Sequence, residues 1–198
     1  METFKFNDLT ITIEQDEPSL FNPRKDFDNV GTMVCWHRSH ELGDQQPNCS
    51  PDEFLFQLMS DREFDKHRKY VPEDIDFEHL AAYINKHFFV LPLYLYDHGG
   101  LSIKTKPFGC PWDSGKVGFI YVERTCTEYP DLQAGLNQEV EIYNQYLNGD
   151  VWFYTIKDEC GNVLDCSGGF FGYEDCKREA ISEAELTASQ LSTSSFCI

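Results

Sequence analysis

Two groups of side chains in this sequence carry the residue types that catalysis or metal binding needs. The first contains Cys35, His37 and His40, with Cys49 further along the chain. Cys35 and His37 would point to the same face of a strand, because they are two residues apart. Thiolate and imidazole are ligands that zinc prefers, so this group is a candidate zinc site. The alternative is a core cysteine beside a polar loop, since the spacing matches no standard closed zinc site.

The second group joins Asp97 and His98 to Cys110 and Asp113 in a later loop rich in Pro and Gly. If that loop folds over the turn that holds His98, a thiol, an imidazole and a carboxylate could form a nucleophilic site. Such a site needs the base within hydrogen-bond reach of the nucleophile. The alternative is a structural loop, in which Trp112 packs as a plug and Asp113 closes a turn. The sequence favours the structural alternative.

A third group consists of acidic residues concentrated after Cys126. Between residues 126 and 186, 13 acidic side chains face only three basic ones, whereas residues 86–124 carry a small positive excess. Such a region can attract a basic protein surface and steer its association, although acidic faces also serve simply to solvate a protein. The residues that we expect to contact such a partner are Asp150, Asp158, Glu159, Asp165, Glu174, Asp175 and Glu179.

The composition limits which partners and compartments are compatible with these groups. The 198 residues include 34 acidic and 16 basic ones, a net charge of −18, which disfavours direct binding of nucleic acid. Aromatic residues make up 15%, so the chain is expected to fold rather than to stay disordered. No apolar run is long enough to span a membrane and no secretory signal is recognisable. We therefore expect a cytoplasmic protein whose eight cysteines are mostly free thiols.

The hydrophobic pattern predicts the elements that position these residues. It indicates an α+β class, with a mostly antiparallel sheet, built from a β-meander and a C-terminal hairpin, packed by about four helices. We expect one domain over residues 1–191 and a frayed tail at 192–198. The predicted strands and helices, in chain order, are a hairpin at 3–14, a strand at 30–37, a helix capped by Ser50, a helix from Asp76 to Phe88, strands at 89–96, 101–105 and 116–123, a helix capped by Asp131, strands at 151–156 and 163–166, and a helix at 173–186.

Several segments resemble a family of small acidic proteins encoded by bacteriophages and mobile elements. They are DNVGTMVCWHR (28–38), PLYLYDHGG (92–100), PFGCPWDSGKVGFIYV (107–122) and the hairpin at 149–171 that ends in SGGFFG. The resemblance assigns no activity and no functional residue. It implies a phage setting, in which small acidic proteins often inhibit host defence enzymes.

These observations lead to two functional hypotheses. The first is a phage-encoded acidic inhibitor of a host defence nuclease or CRISPR effector, which binds a basic protein surface and in which carboxylates could take the place of phosphates. It would act in the bacterial cytoplasm without touching nucleic acid or membrane. The second is a small enzyme or metal-binding protein that uses one of the Cys/His groups, with zinc as the metal. A weaker third hypothesis is a nucleotide-binding protein that uses the near-neutral central segment.

Overall fold

A computed structural model describes residues 1–17, 22–58 and 84–194. The chain divides into two compact units, which we call the first unit (Met1–Asp26 with Ile142–Ile198) and the second unit (Phe27–Glu141). Each unit contains an antiparallel four-stranded sheet, and the predicted α+β class is confirmed. The described strands are β1 (Glu2–Phe6), β2 (Leu9–Gln15), β3 (Thr32–Cys35), β4 (Phe88–Asp97), β5 (Leu101–Lys104), β6 (Ser114–Glu123), β7 (Val151–Lys157) and β8 (Val163–Phe171), and the described helices are α1 (Pro51–Gln57), α2 (Leu132–Asn148) and α3 (Tyr173–Ser194).

The first unit is a sheet covered on one face by α3. Its strand order is β1-β2-β7-β8, so the predicted N-terminal hairpin and the predicted C-terminal hairpin join through β2 and β7. Alternate residues of β2 are buried, as the period of two predicts. Small residues at four-residue spacing on α3, namely Cys176, Ala180 and Ala184, are fully buried and let the helix lie close to the sheet.

Two glycines give β8 an irregular shape. Gly168 and Gly169 together lie opposite Phe153, which is a β-bulge, and Gly169 has a φ of 77°. The amide of Gly169 donates to Asp16 Oδ2 at 3.0 Å. A Cβ atom on Gly168 would lie 2.7 Å from the same oxygen, so this position has no room for a side chain unless the Asp16 carboxylate moves.

The second unit contains the sheet with strand order β3-β6-β4-β5. β4 therefore lies between β5 and β6, and the three strands do not pair in sequence order. Both β3 and β4 run antiparallel to β6, so β3 and β4 finish at the same end of the sheet, where β6 begins. We call this the loop end of the second sheet. Residues that follow β3 and β4, or precede β6, are brought together there.

Close packing in the second unit depends on α1 and on one glycine. Ser50 caps α1, as the sequence predicts, and forms a capping box with Glu53, with Pro51 in the first turn of the helix. The helix places Phe54 against the sheet, where it contacts Trp36 and residues of β6. A Cβ atom on Gly118 of β6 would lie only 1.9 Å from the Val34 carbonyl oxygen, so only glycine allows β3 to pair here.

A buried carboxylate joins the start of β3 to the first turns of α2. Asp131 accepts hydrogen bonds from two backbone amides and caps α2, as the sequence predicts. Two turns later, Glu139 is only 6% exposed. Its Oε1 accepts hydrogen bonds from the Val30 amide at 2.9 Å, the Gly31 amide at 3.0 Å and the Tyr129 hydroxyl at 2.8 Å. Glu139 therefore stabilises the interior of the second unit and is not available to a binding partner.

Several boundaries differ from the predicted ones. Most of the helix predicted from Asp76 lies outside the described residues; residues 84–87 are helical, and Phe88 already begins β4. The final helix continues past Leu186 to Ser194, because Ala188 still packs on the core of the first unit. Residues 192–194 of the predicted tail are thus helical, and residues 195–198 lie outside the described residues.

The pairing of β4 with β6 is irregular near Pro92. The register shifts between Leu93 and Tyr94, one residue beyond Pro92, which is a β-bulge. β5 pairs with β4 only from Tyr94 onward, so within the described residues Pro92 has a paired strand on one side alone.

Among the helices that the structure describes, none is long and apolar enough to cross a membrane.

Candidate functional site

The residues of the candidate zinc site have different surroundings. Cys35 is fully buried in the core, as the structural alternative requires. The rings of His37 and His40 stack at 5.1 Å, and His37 Nδ1 accepts hydrogen bonds from the amides of Ser39 and His40. A ring nitrogen that accepts these bonds has no lone pair left for a metal. In the described part of the chain, no group of three Cys, His, Asp or Glu side chains is arranged to hold a metal ion.

The loop end of the second sheet unites residues from both candidate groups. His37 Nε2 lies 3.8 Å from Asp97 Oδ2, and His98 Nδ1 lies 3.6 Å from Asp113 Oδ1. The Asp97 amide also donates to the Asp113 carbonyl oxygen at 2.9 Å. His37 follows β3, Asp97 ends β4 and Asp113 precedes β6, so the strand order explains why His37 meets Asp97 although they are 60 positions apart in the sequence.

At the loop end of the second sheet, Cys110, Asp113 and His98 are not arranged as a thiol nucleophile and its base would be. Cys110 Sγ donates to Asp113 Oδ2 at 3.4 Å, so the carboxylate lies between the thiol and His98. A thiol nucleophile needs the imidazole in the middle, within reach of sulfur. Here Asp113 ties the loop instead, assisted by the Ser114 hydroxyl, which donates to the Cys110 carbonyl oxygen.

Trp112 does not pack as a plug, and that prediction is wrong. Its side chain is 92% exposed, the largest exposure of any large hydrophobic residue that the structure describes. Phe108 fills the structural role instead, with its ring 5.7 Å from that of Tyr96 and the ammonium of Lys104 3.9 Å above it. With Phe108 and Asp113 both anchored, the loop projects Trp112 into solvent.

An open pocket of about 350 Å³ lies beside Trp112. Leu95 and Val117 are buried residues that line it, and Trp36 forms a half-buried wall. The remaining lining residues of the pocket come from the loop end of the second sheet: His37, Asp97, Trp112 and Asp113, with Ser114, Gly115 and Lys116 from the start of β6. We call this the Trp112 pocket. No pattern in the sequence indicates that Trp112 is exposed.

In the first unit, a buried tyrosine bonds to one acidic residue, and the negative charge of two others acts on it. Tyr154 is 2% exposed and donates to Asp165 Oδ2 at 2.8 Å. Burial raises the pKa of Tyr154 strongly, followed by the hydrogen bond and charge of Asp165 and by the charges of Glu183 and Glu179. Asp165 lies on β8, and Glu179 and Glu183 lie on α3, which packs against β8; we call these three residues the α3–β8 acidic surface. Glu183 is absent from the predicted set, although its four-residue spacing from Glu179 indicates a shared helix face.

The other predicted acids serve more local roles. Asp158 closes the β7–β8 turn by accepting from the backbone and side-chain nitrogens of Asn162, and these bonds lower its pKa. Asp150 accepts from the Trp152 indole at 2.5 Å. Asp175 pairs with Arg178 one turn later on α3. Glu159 and Glu174 are exposed at the turn and in the first turn of α3.

A scan against protein-family models, a search of curated proteins and a search of solved structures found no match to this chain. Function is therefore inferred from the residues and their geometry.

Proposed function

We propose that this chain is an acidic inhibitor that binds the basic, nucleic-acid-binding surface of a host defence nuclease or CRISPR effector in the cytoplasm of a phage-infected bacterium. The observation that supports it best is the excess of acidic over basic residues after Cys126, with Glu174 and Glu179 exposed on α3, which packs against β8. Carboxylates held on two packed elements present a fixed negative surface, which attracts and orients a basic partner. The resemblance to small acidic proteins of phages and mobile elements supports the setting.

The cations of α3 do not cancel this surface. Lys177 Nζ lies 3.2 Å from Glu2 Oε1, and Arg178 pairs with Asp175. Both pairs are partly exposed, so they contribute little stability. Each cation nevertheless lies beside its own acidic partner. Glu174 and Glu179 remain exposed on the same helix. A partner therefore meets an excess of negative charge along α3.

The spacing along α3 suits mimicry of a charged backbone. Glu179 and Glu183 are four residues apart on α3, which is about one helical turn and a rise of about 6 Å, whereas Asp175, one turn earlier, pairs with Arg178. A row of carboxylates along one side of a helix offers a basic channel repeated negative charges, as a phosphate backbone does. Binding of this kind competes with nucleic acid for the same channel.

The test measures DNA cleavage by a panel of purified CRISPR effectors and restriction nucleases with and without the protein. We expect wild-type protein to inhibit at least one enzyme, and added nucleic acid to relieve the inhibition. The triple variant E174Q/E179Q/E183Q should lose at least about tenfold in inhibition, because three attractive charges are removed. The matched control E41Q/E128Q/E141Q neutralises three exposed glutamates of the second unit and should inhibit like wild type.

Salt provides the second readout. The Debye length falls from about 10 Å at 0.1 M salt to about 3 Å at 1 M, so inhibition through charge must weaken steeply across this range. Inhibition that is independent of salt, or equal loss in the two triple variants, would contradict the proposal. So would a protein that inhibits no enzyme of the panel.

A further inference from the structure

The Trp112 pocket combines an exposed aromatic ring with carboxylates in a single concave site. A tryptophan that is 92% exposed is unusual, because burial of its ring stabilises a protein more than burial of most side chains. Large exposed aromatic residues mark binding surfaces when they flank a pocket. Here the ring stands beside a cavity whose buried lining residues, Leu95 and Val117, are apolar.

The charges that line this pocket favour a cation. Asp97 and Asp113 both line it, and their side chains are 49% and 35% exposed. Lys116 is the single lysine or arginine among the lining residues. Each carboxylate can accept about four hydrogen bonds, so the single bond that Asp113 accepts from Cys110 and its contact with His98 leave acceptor capacity.

One wall of the pocket, Trp36, is held in place by its own contacts. Trp36 packs edge-on against Phe54 with ring centroids 5.9 Å apart, and its indole donates to the Cys49 carbonyl oxygen at 2.7 Å. The Trp36 amide donates to the Val117 carbonyl oxygen at 2.8 Å. A preorganised site spends less binding free energy on ordering its own side chains.

We propose that the Trp112 pocket binds an arginine side chain from an exposed basic segment of the partner. A guanidinium is planar, so it stacks on an indole and donates hydrogen bonds to carboxylates in its plane at the same time. A lysine ammonium has the charge but not the planar face. The proposal deepens the proposed function by naming an anchor for the basic partner, and it places that anchor in the second unit rather than on the α3–β8 acidic surface.

The experiment follows the indole N–H signals of Trp36 and Trp112 by NMR during titration with short capped peptides. The peptides carry one central arginine, lysine or citrulline, the last being a neutral analogue of arginine. We expect saturable shifts with the arginine peptide, weaker binding of the lysine peptide, and at least about tenfold weaker binding of the citrulline peptide. W112A, read through Trp36, should bind the arginine peptide about tenfold more weakly.

Charge variants decide between a cationic and an anionic ligand. D97N should weaken binding of the arginine peptide, and K116Q should strengthen it by about twofold or more, because a like charge is removed from the pocket. Guanosine monophosphate serves as the anionic probe, because its base can also stack on the indole rings. Stronger binding of the nucleotide than of the arginine peptide, lost in K116Q, would overturn the proposal.

Two outcomes separate this inference from the proposed function. If arginine and citrulline peptides bind equally, or if neither shifts the two indole signals, the arginine anchor is refuted while inhibition by the α3–β8 acidic surface can persist. If E174Q/E179Q/E183Q inhibits like wild type while it still binds the arginine peptide, the role of the acidic surface is refuted and the anchor stands. D131N, which removes an exposed acid outside the pocket, is the control for general charge and should bind the arginine peptide like wild type.

Discussion

Removal of the buried Glu139 carboxylate should destabilise the second unit more than any exposed acid does. Its Oε1 accepts three hydrogen bonds, two of them from the backbone amides of Val30 and Gly31 at the start of β3. Each donor left without an acceptor inside a protein costs about 1–3 kcal/mol. The Gly31 bond is buried and the Val30 bond partly buried, whereas the Tyr129 hydroxyl can turn toward water. E139A should therefore lower the free energy of unfolding by about 3 kcal/mol or more.

E139Q distinguishes the charge from the acceptor. The glutamine amide keeps a carbonyl oxygen at the same place, so the two backbone bonds can persist, but hydrogen bonds to a neutral acceptor are about half as strong as those to a carboxylate. We expect a loss of about 1 kcal/mol for E139Q. This milder variant keeps the prediction testable if E139A fails to fold.

Urea denaturation followed by tryptophan fluorescence measures these losses, since the half-buried Trp36 lies in the second unit and becomes exposed when that unit unfolds. The control is E141A, which removes an exposed glutamate from the same helix and should change stability by less than about 0.5 kcal/mol. If E139A proves no less stable than E141A, the three hydrogen bonds do not hold β3 to α2 as described here.

Three further predictions concern individual positions. G118A should lower the free energy of unfolding by about 3 kcal/mol in thermal or urea denaturation, because its Cβ atom would lie 1.9 Å from the Val34 carbonyl oxygen. G100A has open space around its Cβ atom and should be nearly neutral. Equal losses of stability in the two variants would contradict this account of Gly118. Burial, and then the charge of Asp16, raise the pKa of Cys176 to about 11 from its ordinary 9.0, so iodoacetamide at pH 8.5 should modify exposed Cys166 and spare Cys176 in native protein. Stability from this thiol is present below pH 9 and is lost as the pH rises toward 11, and rapid labelling of Cys176 would refute both statements. C110S should inhibit nucleases like wild type, because the thiol lies against Asp113 and not against an imidazole; loss of inhibition would favour a thiol mechanism.

Local signals predicted most of the elements, and long-range pairing accounts for what they missed. The capping box at Ser50 and the cap at Asp131 depend on neighbouring residues, so their helices begin where the sequence indicates. The pairing of Ile13 with Tyr154 joins strands more than 100 residues apart, and no local pattern encodes it. The end of α3 was missed because Ser and Thr are weak helix formers, while the burial of Ala188 depends on tertiary packing.

The candidate site divides in the same way. Residue types identified Asp97, His98 and Asp113 as polar groups that could meet, and the strand order then adds His37 from the other group. The direction of Trp112 depends on whether Phe108 or Trp112 fills the space beside Tyr96, which is a competition that composition does not decide. Among the acids, exposure and internal hydrogen bonds separate Glu179 from acids such as Glu139, and both properties require the fold.

The central claim is that the α3–β8 acidic surface binds a basic partner and blocks its access to nucleic acid. The most direct measurement is DNA cleavage by the nuclease that the protein inhibits, titrated with wild type, E174Q/E179Q/E183Q and E41Q/E128Q/E141Q at low and high salt. The predicted result is inhibition by wild type and by the second-unit variant, with at least about tenfold loss in the α3 variant and steep weakening in salt. Undiminished inhibition by the α3 variant at both salt concentrations would contradict the claim.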